Sequence, residues 1–175
     1  MFPAFKEWHA IVGALVAGEQ SIILRKGGIA EGRGGFTAKS NRFWLLPTRF
    51  HAQAEKLKPA ADRYLPSHDD DSSDDPPEVS LNAFAELTAH RFLTAWSKVA
   101  ALNAQHLWTE STVRERFDWS KPPGIHLLTV QVHRLLTPVK FRLTAAQAGC
   151  KSWVELPLDF AAHPSVKVTP TSAPH

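Results

Sequence analysis

The sequence predicts an α+β domain. Three patterns carry this. Trp8, Ile11, Val12 and Leu15 recur at i, i+3, i+4 and i+7, the single stripe of an amphipathic helix. The run 125–136, IHLLTVQVHRLL, alternates instead, with Leu128, Val130 and Val132 on one face and Thr129, Gln131 and His133 on the other. Between them, RFWLLP at 42–47 is a short continuous apolar run that reads as a buried strand.

The remaining elements follow in order. A helix over 5–17 ends at Gly18, which stands in the position of a C-terminal cap. A strand over 21–25 runs into a glycine-rich loop that reaches Gly35. Pro47 ends the strand that begins at Arg42, and Thr48 is a good N-cap for a helix over 49–58, closed by Pro59. Residues 66–78, PSHDDDSSDDPPE, offer nothing apolar to bury and are predicted to be disordered. The stretch 79–92 fits both periods: Val79, Leu81, Ala83, Ala85 and Leu87 alternate, while Leu81, Phe84, Ala85, Thr88 and Phe92 fit a helix. Trp96, Val99 and Leu102 share a helical face, and Thr109 caps a helix over 110–117. Pro122, Pro123 and Gly124 make a hard break before the long alternating strand. Pro138 interrupts that strand, 139–143 extend it, and 149–156 hold a last short one. The expected organisation is one globular domain over 1–156, with a disordered acidic loop at 66–78 and a loose tail over 157–175.

Composition narrows the function classes. A chain of 175 residues with 43% hydrophobic content can bury a proper core. No apolar run approaches the ~20 residues of a membrane span, and MFPAFKEWH lacks the pattern of a signal peptide, so a cytoplasmic protein without membrane contact is expected. The single cysteine, Cys150, excludes an internal disulfide framework and a cysteine-built zinc site. Lys151 beside it would favour a thiolate, but no partner base stands at a telling spacing, and a small buried hydrophobe is the better reading. The formal charge of +3 is unevenly spread: 66–78 holds six acidic residues and no Lys or Arg, so the rest of the chain is +9. Six tryptophans and ten phenylalanines supply both core and candidate stacking platforms. A body so basic favours polyanions.

Chemistry concentrates at 21–36, SIILRKGGIAEGRGGF. A strand here delivers Arg25 and Lys26 to a loop whose glycines, Gly27 and Gly28 first, let backbone N–H groups approach an anion. The loop is no Walker A motif, and no helix follows as a dinucleotide fingerprint requires. A glycine-rich surface hairpin is the competing reading. The nine histidines show no metal spacing, so no metal and no cofactor are expected. Glu19, Glu31 and Lys26 surround the first strand, but the acidic pair with E-x-K of a Mg2+-dependent nuclease is absent.

Four segments together resemble an uncharacterised bacterial family known only as a domain of unknown function: 7–17, LRKGGI at 24–29, RFWLLPTRFH at 42–51 and GCKSWVEL at 149–156. The resemblance covers 5–156. Family members fused or adjacent to restriction-endonuclease-like domains imply a place in restriction–modification or defence. A weaker similarity is to PUA-like barrels of the ASCH and EVE type. Where those carry G-x-K-T-x-E-x-R, this chain has Gly18 to Arg25 with Gln20, Ser21 and Ile23 in place of the lysine, threonine and glutamate. Arg25 matches, but the residues tied to hydrolysis in some ASCH proteins do not. The run 126–141, HLLTVQVHRLLTPVKF, is similar to an EVE strand and turn. This resemblance implies a small PUA-like β-barrel with flanking helices, a strand rather than a helix over 79–91, and binding of RNA or modified DNA bases in a cleft.

The function expected is nucleic-acid binding, with Arg25, Lys26, Arg33 and Arg42 on phosphates and Trp44 or Trp119 under a base, Trp44 with its leucine flanks reading more readily as core. The alternatives are a Mg2+-dependent nuclease or small hydrolase, and a protein-interaction module of a defence or regulatory complex whose acidic 66–78 loop masks a basic cleft.

Overall fold

The computed structural model describes residues 1–26, 40–49, 53–66, 77–119, 121–149 and 151–171. Its elements are β1 (Phe2–Trp8), α1 (His9–Ala17), β2 (Ile22–Arg25), β3 (Arg42–Thr48), α2 (Gln53–Lys56), a 3₁₀ helix (Pro59–Tyr64), β4 (Glu78–Leu93), α3 (Trp96–Ala100), α4 (Glu110–Asp118), β5 (Ile125–Arg142), α5 (Ala145–Ala148), β6 (Trp153–Leu156) and β7 (Ser165–Lys167). The fold is α+β. One mixed sheet runs in the order β2-β5-β4-β3-β1-β6, with β7 added to β5. The β1–β3 pair is parallel and the others are antiparallel. Among the described residues, no helix is long and apolar enough to cross a membrane.

Both faces of the sheet centre are buried. Phe5, Phe43, Leu45, Ala83, Ala85, Leu128 and Val130 face a large core shared with α1, α4 and the 3₁₀ helix. Ala4, Trp44, Leu46, Leu81, Phe84, Leu135 and Leu156 face a second core, closed by Leu158 and Phe160. This double burial is why RFWLLP is apolar without alternation. On β4 the inward parity changes between Leu81 and Ala83, where the pairing with β5 shifts register. The stretch 79–91 is the strand that the barrel resemblance implies.

Four expectations need correction. Residues 5–8 are not helical: β1 pairs with β3 along one edge and β6 along the other, and the helix begins at His9. Four consecutive buried residues, Ala4 to Glu7, erase the alternation that would have marked a strand. Thr48 ends β3, its hydroxyl donates to the Glu7 carbonyl at 3.1 Å, and among the described residues the helix that follows spans Gln53–Lys56 rather than 49–58. Pro138 does not interrupt β5. It sits where residues 135–138 bulge between the pairs Ala83–Arg134 and Leu81–Val139, so its missing N–H removes no ladder bond. The tail is not loose as far as Thr171. β7 pairs with β5, the Val168 N–H donates to the Val132 carbonyl at 2.9 Å, and Thr171 donates to the Gly18 carbonyl.

Gly18 is where that docking meets helix termination. It closes α1 in the left-handed region, with φ 78°, and a Cβ here would lie 2.7 Å from the Thr169 carbonyl oxygen. Gly18→Ala is therefore expected to lower unfolding free energy by roughly 1–3 kcal/mol. Urea denaturation measures this; an unchanged midpoint would show that the C-terminal segment yields freely.

Candidate functional site

The ends of the sheet meet through side chains. β2 and β6 terminate the hydrogen-bonded path, yet Arg25 Nη2 donates to Ser152 Oγ at 2.7 Å, one residue before β6. Arg25 also lies over the Phe5 ring, 4.9 Å from its centroid. The sheet therefore curls strongly. Among the described residues no backbone pairing joins β2 to β6, so the expected barrel is open in its hydrogen bonding.

A charged cluster fills this mouth. Phe5 and Glu7 lie on the same face of β1, so the Glu7 carboxylate points inside the curl, with its side chain 0% exposed. Its Oε1 accepts the Trp8 N–H at 2.8 Å, while Oε2 has no hydrogen bond and lies 3.9 Å from Arg25 Nη1. Arg116 enters from α4. Thr112, Val113 and Phe117 form the buried face of that helix, and Arg116 shares it. Its guanidinium lies 4.8 Å from the Trp8 centroid and 4.7 Å from that of Trp108, and it donates to the Leu24 carbonyl at 2.8 Å. Desolvation pulls its pKa down to about 10, against the support of the Glu7 charge and with Arg25 repelling it. Arg116 thus covers the outer edge of β2, which among the described residues pairs only with β5.

Two sequence-predicted residues come together beside this cluster. Lys26 Nζ lies 3.6 Å from the centroid of Trp119, which is 49% exposed. Burial lowers the Lys26 pKa, Glu115 opposes that, and Arg116, Arg25 and Lys56 lower it further. Lys56 pairs with Glu115 at 2.9 Å. The mouth therefore gathers Arg25, Lys26, Lys56 and Arg116 against Glu7 and Glu115.

The other predicted site residues do not join it. Arg42 is exposed but forks onto Glu86, its cross-strand partner, and Glu86 lies 3.3 Å from His133 Nε2. That Arg42 bond, more than His133, holds the Glu86 carboxyl below the ordinary range. Trp44 is wholly buried in the second core, stacked on Phe160 at 5.1 Å and donating to the Leu158 carbonyl at 2.9 Å. No base can stack on it, which corrects the sequence reading. Gly27, Gly28, Arg33, Cys150 and the acidic segment over 67–76 lie outside the described residues. Glu7, Arg116 and Ser152 were missed. An arginine among Thr112, Val113 and Phe117 on a short helix was the available signal, because burying a cation demands a partner.

Two histidines near the site make the fold acid-sensitive. Burial pushes His106 down to about 4, with Lys58 and Arg116 adding repulsion. Burial pushes His126 down to about 4 as well, with His90, 3.0 Å away, adding to it. Both rings lose basicity on folding, so the unfolded chain takes up protons first. Stability is complete above about pH 6.5 and falls toward pH 4, by on the order of a few kcal/mol in total by pH 5. Denaturant midpoints at pH 7 and pH 5 measure this, and a flat profile would contradict it.

Among the described residues no three His, Cys, Asp or Glu side chains converge as a metal site. At this mouth the buried Glu7 carboxylate faces Arg25.

Fold and site together define a mixed α+β domain with a basic mouth at one end of a curled sheet. The chain belongs to the domain-of-unknown-function family DUF1802, whose profile matches residues 4–173. No curated protein matches it. Among solved structures it is similar to ASCH from Zymomonas mobilis, at 16% identity and TM-score 0.48, covering 88% of this chain and 86% of that one. Two single-substitution variants of that ASCH protein match at 16% and 17% identity, each with TM-score 0.49 and 88% of this chain covered, over 87% and 88% of their own chains.

Proposed function

We propose that this protein binds nucleic acid at the mouth of a PUA-like barrel, with Arg25 and Lys26 set toward phosphates and Trp119 offering a stacking face. The observation that carries this reading is the gathering of Arg25, Lys26, Lys56 and Arg116 at one mouth, with Lys26 over the exposed Trp119 ring. Cations beside aromatic faces are what a single strand with unstacked bases engages. Lys26 also leads directly in sequence into the glycine-rich segment that holds Gly27, Gly28 and Arg33. The sequence resemblance adds the finer reading: sensing of modified bases in a restriction or defence setting, alongside a protein partner from that system.

Fluorescence anisotropy with short DNA and RNA, single- and double-stranded, across a salt series tests it. The expected result is binding that weakens linearly in log K against log salt. A panel carrying methylated bases tests the finer reading. Absence of binding to every oligonucleotide at low salt would sink the proposal.

A further inference from the structure

Two aromatic rings lie open at one corner of the fold. Among the described residues, Phe92 and Trp119 are the most exposed aromatic side chains, at 44% and 49%. A single exposed ring is ordinary on a protein surface. These two flank the same pair of cations.

Strand register places Phe92 at the mouth. Phe92 on β4 pairs with His126 on β5, and His126 pairs with Arg25 on β2. Directly opposed residues of antiparallel strands share a face, so Phe92, His126 and Arg25 form one row. Arg25 lies over Phe5, which puts that row on the inner side of the curl. Three neighbouring strands set the ends of the row about 10 Å apart. Trp119 stands beyond the Arg25 end, where Lys26 lies over its ring. The backbone links the two rings as well. The Gly124 N–H donates to the Phe117 carbonyl at 2.9 Å, two residues before Trp119, and the Phe92 ring rests on Gly124.

The Phe92 ring is braced from behind. His126 lies 4.6 Å from it, centroid to centroid, and His126 is in turn 3.0 Å from His90. A Cβ at Gly124 would fall 2.3 Å from the ring, so any larger residue there would push it away. A ring already fixed on one side loses little freedom when a flat group settles on the other. Nucleobases are such groups, and every base offers a π-face.

We propose that Phe92 is a second base-stacking platform of the mouth, so that the ligand is a single strand with unpaired bases on Phe92 and Trp119 and its backbone passing Arg25 and Lys26 between them. This rests on the nucleic-acid reading above and adds to it a residue and a substrate class. A duplex, whose bases stack on one another, offers no free face to either ring.

Fluorescence anisotropy of the full chain tests it, with an oligonucleotide of ~8 nucleotides used single-stranded and annealed to its complement. The wild type is expected to bind the single strand at least ~10-fold more tightly than the duplex. Phe92→Ala should weaken single-strand binding at least ~5-fold, the low end of what one stacked base contributes. The slope of log K against log salt should stay unchanged, because no phosphate contact is lost. Phe92→Tyr keeps a flat ring and should bind as the wild type does. Phe92→Leu keeps apolar bulk against His126 and Gly124 but no flat face, and should lose affinity as alanine does. It answers the question even where the alanine variant fails to fold, and thermal melting checks each variant. No binding of either oligonucleotide by the wild type would overturn the nucleic-acid reading and this inference with it. Single-strand binding that Phe92→Leu leaves intact, or a duplex bound as tightly as the single strand, would overturn this inference alone.

Discussion

Arg116→Met should lower the unfolding free energy by about 3–5 kcal/mol, the range seen when one partner of a buried charge pair is removed. Methionine preserves much of the apolar stem between Trp8 and Trp108 but loses the hydrogen bond to the Leu24 carbonyl. More importantly, it leaves the inaccessible Glu7 carboxylate with Arg25 alone, 3.9 Å from an oxygen that already has no hydrogen bond. Glu7→Gln in the same background should recover part of the loss, because an amide is far cheaper to bury than a carboxylate. The two changes are therefore expected to be strongly non-additive in a double-mutant cycle. Additive losses would show that Arg116 acts through its indole contacts and the Leu24 bond, independently of Glu7.

Arg25→Ala with Lys26→Ala should reduce oligonucleotide affinity roughly 100-fold at low salt, at about tenfold for each charge-assisted phosphate contact. The slope of log K against log salt should flatten by about 1.4 for a single strand. Arg25 also holds Ser152 and bridges the sheet ends, so its loss affects the fold as well as the ligand. Lys26→Ala separates the two effects. Lys26 contacts the exposed face of Trp119, so this single change should give about half of that flattening, ~0.7, with little change in melting temperature. A variant that loses affinity with an unaltered salt slope would place the phosphate contacts elsewhere.

Much of the fold was legible because some segments answer to local rules alone. Residues 125–136 alternate, Thr109 accepts from the Thr112 N–H as an N-cap, and Gly18 takes the left-handed cap conformation. Residues 2–8 were not legible. Their strand identity comes from β3 and β6 on either edge, and a segment buried on both faces has no period of its own. The course of 157–171 was hidden for a related reason, since its anchors are distant backbone groups on β5 and at Gly18.

The candidate site divides along the same line. Arg25, Lys26 and Trp119 stood out because cations beside glycines and a tryptophan near a chain break are local features. Arg42 looked equivalent to them in sequence, yet it is spent on Glu86, while Trp44, whose leucine flanks favoured the core, is sealed in the second one. By itself, the sequence determined an α+β chain, a basic body and a strand that ends in two cations before a glycine-rich segment. Tertiary structure alone decided which cations meet. Curling the sheet brings residues 7, 25, 116 and 152 to one mouth, and strand alternation sends Lys6 and Glu7, adjacent in the chain, to opposite sides of it. Charges act over a few ångströms of space, whereas sequence patterns report only neighbours along the chain.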